Sequence, residues 1–341
     1  MNMVTCWCEM NILSLFDGGS CAQIAINRLG ITDYTYYSSE IDPYPIEVTH
    51  DNYPNTIQLG NIENWRSWNL PKIDLIIGGS PCQGFSFAGK QLNFDDLRSK
   101  LIFAFLDILE YYRPPFFLLE NVKMKPEYMN VISSRLGEIY PERVRDFSTG
   151  RLEPKLLNSS LVSAQNRKRL YWCNWDIVPP EDKNIVWGDI REHGVNTESF
   201  YYTEKAVQWL GRHGKRKNKI LKVHGNNEKM QMIEASHSKK YSAQRFFGIA
   251  DTPTDPQVLA VLRGRKLTPY RQLLGGLPNL PEGEFYFRYI TPLECERAQT
   301  MPDNYTRAVS NTRRYMLCGN GFTVDMIVHL LQALGEVYGT K

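Results

Sequence analysis

The chain has 341 residues, 42% of them hydrophobic and 23% charged, with a mean hydropathy of −0.40, which suits one large or two modest globular units and excludes a disordered chain. Its apolar runs, such as Leu101 to Leu109, stop short of a membrane span, and no basic flank and apolar stretch open the sequence, so neither insertion nor export is expected. Seven scattered cysteines suit free thiols in a reducing, cytoplasmic setting better than a disulfide framework.

Residues 11–16 (NILSLF) predict a short apolar strand, followed by the turn Asp17-Gly18-Gly19-Ser20 and a helix from Ala22 to Leu29 closed by Gly30. Tyr34 to Ser39 reads as a second strand ending at Glu40 and Asp42, with a helix from Pro45 toward Asn52. Ile73 to Ile77 is an almost wholly apolar strand running into Gly78-Gly79-Ser80-Pro81-Cys82, and Leu101 to Tyr112 is the next helix. A fourth strand, Phe116 to Leu119, ends at Glu120-Asn121-Val122. Strands that are apolar on both faces and alternate with helices predict an α/β class, a doubly wound and largely parallel sheet whose functional residues sit at the carboxyl ends of its strands.

Past residue 180 the periodicity weakens, and helices return only at Pro292 to Thr300 and about Thr323 to Leu334. The expected organisation is an amino-terminal extension (1–9), a catalytic and cofactor domain (10–180), a smaller basic domain (181–287) and a carboxyl-terminal segment (288–341) that packs back on the catalytic domain. Met10 abuts the first strand, so the extension is expected to have no structural duty. Net charge is only +3, but residues 205–281 hold fifteen Lys and Arg against four Asp and Glu, while the remainder is acidic overall. Such asymmetry points to a polyanionic partner.

A glycine pair after the first strand lets backbone approach a ligand closely, because no Cβ intervenes. Neither G-x-G-x-x-G nor a P-loop lysine is present, so a nucleoside without a diphosphate fits better than a dinucleotide or ATP. Glu40, closing the second strand some twenty residues later, stands where doubly wound folds hold ribose hydroxyls. Cys82 follows a buried strand and a rigid proline in a glycine-rich loop, a setting for a nucleophile, whereas Cys6, Cys8, Cys173 and Cys295 read as packing residues. A free thiol of pKa about 8.5 needs nearby donors or positive charge to act at neutral pH, which the arginines of Gln165-Asn166-Arg167-Lys168-Arg169 could supply. Glu120 leaves the neighbouring strand and could hand a proton to a ring nitrogen while the thiolate attacks an electron-poor carbon, the logic of pyrimidine activation.

These segments together resemble the DNA (cytosine-5) methyltransferases. LFDGGS is similar to that family's cofactor loop, GGSPCQGFS to its nucleophile loop, ENV to its glutamate motif and QNRKRLYW to its arginine motif, with RYITPLECERAQTMPDNYT and CGNGFTVDMI as the late motifs. The resemblance implies a Rossmann-like class I methyltransferase sheet with a target-recognition domain, S-adenosylmethionine as cofactor, no metal, and double-stranded DNA as partner. It implies that Cys82 attacks C6 of a flipped-out cytosine, that Glu120 holds and protonates N3, and that Arg167 and Arg169 brace the base and the thiolate. Cofactor contacts implied by motif are Phe16, Asp17, Gly18, Gly19, Glu40, Asn61, Ile62, Pro81, Leu101 and Asn320. A monomer that needs no protein partner, working beside the nucleoid of a prokaryote or on a viral genome, follows from the same likeness.

Five positions depart from the family pattern: Ser20 for a second spaced glycine, Asn61 for an aspartate, Leu293 for an arginine, and Gly321-Phe322 for Ser-Val. None is expected to touch Cys82, Glu120 or the arginine pair. The sequence also admits methylation of transfer RNA on the same scaffold, or a silent DNA-binding relative. The basic stretch argues against the first, and the intact Cys82, Glu120, Arg167 and Arg169 set against the second.

Overall fold

The computed structural model describes residues 10–81, 97–192, 195, 198–202, 222–223, 226–235, 247–251, 256–257, 259–260 and 286–338. The expectations placed on residues 1–9, on Cys82 and on most of the basic stretch lie outside them. Contacts divide the chain into two units: residues 1–159, 168–181 and 321–341 form the first, and residues 160–167 and 182–320 the second.

The first unit is built on a seven-stranded sheet. Five strands, β1 (Met10–Leu15), β2 (Tyr34–Ser39), β3 (Ile57–Gln58), β4 (Leu75–Gly78) and β5 (Phe116–Val122), are joined by parallel pairings. Two more, β6 (Lys155–Asn158) and β8 (Lys168–Cys173), add antiparallel to the β5 side, while β7 (Gln165–Asn166) belongs to the second unit. The order β3-β2-β1-β4-β5-β8-β6 places β1 well inside the sheet. Ile12, Leu13 and Leu15 of β1, like Ile76 and Ile77 of β4, are fully buried. Burial on both faces is why these strands read as unbroken apolar runs. The winding reverses between β1 and β4, and a doubly wound sheet opens its ligand crevice beyond the carboxyl ends of strands at such a point.

Helices α1 (Cys21–Arg28), α2 (Pro43–Asn52), α3 (Leu97–Tyr112) and α4 (Pro126–Ile139) cover the sheet. Asp42 starts α2 by accepting the Tyr44 N–H at 3.1 Å, and proline stands in the first turn of α2 and of α4, where its missing N–H costs nothing. The fourth strand expected from sequence, β5, is longer than its apolar core suggested. It continues through Val122 because β8 pairs with it, setting Glu120 opposite Tyr171, Asn121 opposite Leu170 and Val122 opposite Arg169. Glu120, expected just past the strand's apolar core, is therefore held in a hydrogen-bonded ladder within the strand.

In the second unit, β7 pairs with β10 (Met230–Gln231), and a small sheet has the order β12 (Tyr286–Arg288), β11 (Phe247–Asp251), β9 (Lys222–Val223). Among the described residues, helices of this unit include α5 (Trp187–Ile190), α6 (Pro292–Ala298) and α7 (Asn311–Asn320). Thr291 and Glu294 cap α6 reciprocally, and Glu294 also takes both arms of Arg288 at 2.6 and 2.9 Å with neither side chain exposed. The final helix, α8 (Val324–Tyr338), belongs to the first unit, where Asp325 pairs with Arg28 of α1 at 2.5 Å.

Candidate active site

The turn after β1 is shaped by its backbone. Phe16, Gly18 and Ser20 all adopt positive φ, near +60°, a conformation costly for a side-chain-bearing residue and free for glycine. A buried carboxylate holds the turn in that form: Asp17 accepts hydrogen bonds from Ser14 (2.6 Å), Ser20 (2.5 Å), Tyr36 (2.7 Å) and Ser38 (3.0 Å). Burial raises its carboxyl above the usual range, and the four hydroxyls oppose that rise. Asp17 thus spends its side chain inward and offers an outside ligand only backbone.

Glu40, at the end of β2, is tied to the same turn. The Gly18 N–H donates to its Oε2 at 2.9 Å, and the N–H groups of Ile41 and Asp42 donate to Oε1 at 2.7 and 2.9 Å. Ile41 is 70% exposed, a large apolar side chain left in solvent at the crevice. Sequence reading missed it, although its place directly after Glu40 was the available signal. Beyond β3, Asn61 starts a 3₁₀ turn by accepting the Glu63 N–H at 3.0 Å, while Ile62 is 4% exposed and packs into the core. Leu101 of α3 also packs against that core, and Pro81 is exposed at the end of the described segment.

At the carboxyl end of β5, Glu120 Oε1 meets Arg169 Nε of β8 at 2.8 Å, with the two side chains 12% and 9% exposed. Next to it, Asn121 is 1% exposed and donates to Ser80 Oγ at 2.9 Å. This buried bond ties β5 to the segment two residues before Cys82. Gly79 lies under the same edge: a Cβ there would stand 2.8 Å from the Phe322 ring and 3.0 Å from Glu120 Oε2. Of the Gly321-Phe322 departure, the Phe322 ring thus comes to the same glycine as the carboxylate.

Arg167 and Asn320 belong to the second unit. Arg167 is 3% exposed and donates to the carbonyls of Ile233 (3.0 Å) and Gly319 (3.2 Å), the latter at the carboxyl end of α7, where a cation also complements the helix dipole. Asn320 is exposed at the end of that helix. Cys173 and Cys295 are buried, as packing residues should be, and burial pushes the Cys173 thiol up to about 12.

The sheet order and the site edge define a Rossmann-like class I methyltransferase fold, and the solved Entamoeba histolytica methyltransferase EhMeth is similar to it with a TM-score of 0.67 at 16% identity, over 97% of this chain and 99% of that one. Residues 10–336 match the C-5 cytosine-specific DNA methylase family, and the chain belongs to it. It is 26% identical to the type II methyltransferase M.HpaII of Haemophilus parainfluenzae, over 97% of this chain and 91% of that protein. It is 28% identical to the orphan methyltransferase M.Rho11sI of Bacillus phage rho11s, over 68% of this chain but only 47% of the phage protein.

Proposed function

We propose that this chain transfers a methyl group from S-adenosylmethionine to C5 of cytosine at a specific sequence of duplex DNA. Family membership over residues 10–336 supports the reaction class, and the Glu120–Arg169 pair, one strand from the segment that leads into Cys82, is the observation that carries the mechanism. The residues present fit the cofactor. Gly18 has open space where a Cβ would stand, Glu40 presents a carboxylate fixed by three backbone N–H groups for a ribose diol, and exposed Ile41 offers an apolar surface for an adenine ring. When bound, S-adenosylmethionine supplies the methyl group as an electrophile.

In this reading the Cys82 thiolate forms a bond to C6 and drives the electron pair of the C5–C6 double bond toward C5 and N3. Glu120 holds N3 and supplies the proton that the ring nitrogen gains, while Arg169 fixes Oε1 and carries the balancing charge. After methyl transfer, a base takes the C5 proton, the freed electron pair re-forms the C5–C6 double bond as the C6–S bond breaks to release the Cys82 thiolate, and the N3 proton returns to Glu120. The base must leave the stack for Cys82 to reach C6, at a cost of a few kcal/mol that contacts to DNA offset. Arg167 would act within the second unit, where it fixes residues 233 and 319. Residues 181–287 would supply target recognition, and the relatives' bacterial and phage sources suit a cytoplasmic, nucleoid-associated setting.

The test is transfer of labelled methyl from S-adenosylmethionine to duplex DNA and, in parallel, to transfer RNA, with 5-methylcytosine mapped at base resolution. Label at one short DNA sequence is expected. Label in RNA alone, or in neither, would overturn the reading.

A further inference from the structure

The crowding over Gly79 bears on how Glu120 is held. Glu120 presents two oxygens in different surroundings: Oε1 is held by Arg169 at 2.8 Å, while Oε2 stands beside Gly79, at the same point where the Phe322 ring comes in. A Cβ on Gly79 would lie 2.8 Å and 3.3 Å from two carbons of that ring and 3.0 Å from Oε2, so glycine is what lets aromatic ring and carboxylate share the space. Phe322 is half-buried and stands just before α8, whose first turns are anchored by Val324, Met326 and Ile327, all fully buried. The ring is thus delivered by a rigid helix, and Glu120 by a paired strand.

We propose that Phe322 is a positioning residue for Glu120. Its ring covers Gly79 and walls in Oε2, so that the oxygen not held by Arg169 has one place to stand and little water beside it. This rests on the proposed reaction, in which Oε2 is the oxygen that reaches the ring nitrogen of the target base. Asn121 and Ser80 fix the loop on the neighbouring side, so the carboxylate is bounded by Arg169 and by the ring over Gly79.

A double-mutant cycle between positions 322 and 120 tests this, because residues that act through one another fail to add. The kcat for methyl transfer to duplex DNA is measured for the wild type, Phe322→Val, Glu120→Gln and the double variant, with the dissociation constant for S-adenosylmethionine measured by calorimetry on each. Phe322→Val is expected to lower kcat about tenfold when Glu120 is present and less than about twofold in the Glu120→Gln background, with cofactor affinity moved less than about threefold. Phe322→Leu, which keeps most of the volume, is expected to restore most of the rate and covers the event that the valine variant folds poorly. Equal fold losses in both backgrounds, or a loss explained by weaker cofactor binding, would overturn the proposal while leaving the reaction standing. A wild-type chain that methylates no DNA would overturn both.

Discussion

Asp17 concentrates four hydroxyl donors on one buried carboxylate, and its cost and benefit separate with pH. Burial raises its folded pKa above the unfolded value, so the native state binds the proton more tightly than the unfolded chain. The stability owed to Asp17 is therefore fully present below the unfolded pKa of about 3.9 and is lost as pH rises through the raised folded value. The difference in unfolding free energy between wild type and Asp17→Asn, measured in urea, is expected to shift against the wild type as pH is raised from the acid side of that window to neutrality. A pH-independent difference would mean that the hydroxyls cancel the burial. At Cys82 the expectation concerns chemistry: Cys82→Ala should abolish methyl transfer while DNA binding stays within a few fold, and retained turnover would refute the nucleophile assignment. Glu120→Gln should keep a residual rate, because an amide still hydrogen-bonds the base but cannot give up a proton as a carboxylic acid does.

Among the elements, β8 does what its sequence did not advertise. KRLYWC was legible only as part of a motif, since its alternation is broken and nothing local says that it pairs antiparallel with the far end of β5. The parallel strands were legible because burial on both faces leaves a continuous apolar run, and Tyr34–Ser39 was placed to the residue. In the candidate site, placement was legible where the doubly wound pattern decides it, as for Glu40 just after β2 and Glu120 near the end of β5. It was illegible where partners come from far along the chain: the Asn121–Ser80 bond spans 41 residues, and Phe322 reaches Gly79 from the start of the last helix. Trp172 tests the contribution of β8. It is fully buried opposite Leu119, beside Glu120 in the ladder, and donates to Ser133 Oγ at 3.0 Å. Trp172→Ala is expected to cost about 3–5 kcal/mol in a urea melt, the range for removing a large buried aromatic. A loss below about 1 kcal/mol would mean that β8 is not part of the cooperative core.

Across the whole chain, charge is divided more sharply than structure. Residues 205–281 carry fifteen cations and four acids, and the rest of the sequence is acidic overall, an asymmetry along the chain that suits a polyanionic partner. Not every one of those cations is free for phosphate. Lys229 donates to the carbonyls of Ser160 (2.6 Å) and Ser163 (3.3 Å) and lies 3.5 Å from Asp182, which makes it a tie within the second unit. Lys217, outside the described residues, stands in the densest basic run, between Arg216 and Lys219. Each phosphate contact releases about one counterion, so the slope of log affinity against log salt counts the cations that bind. Lys217→Ala is expected to flatten that slope by about one and to weaken binding alike on cognate and unrelated duplexes. Lys229→Met should leave the slope unchanged and lower the melting temperature instead, because it strips a donor from two carbonyls without removing a phosphate contact. The reverse pattern would assign the phosphate contact to Lys229 and not to Lys217.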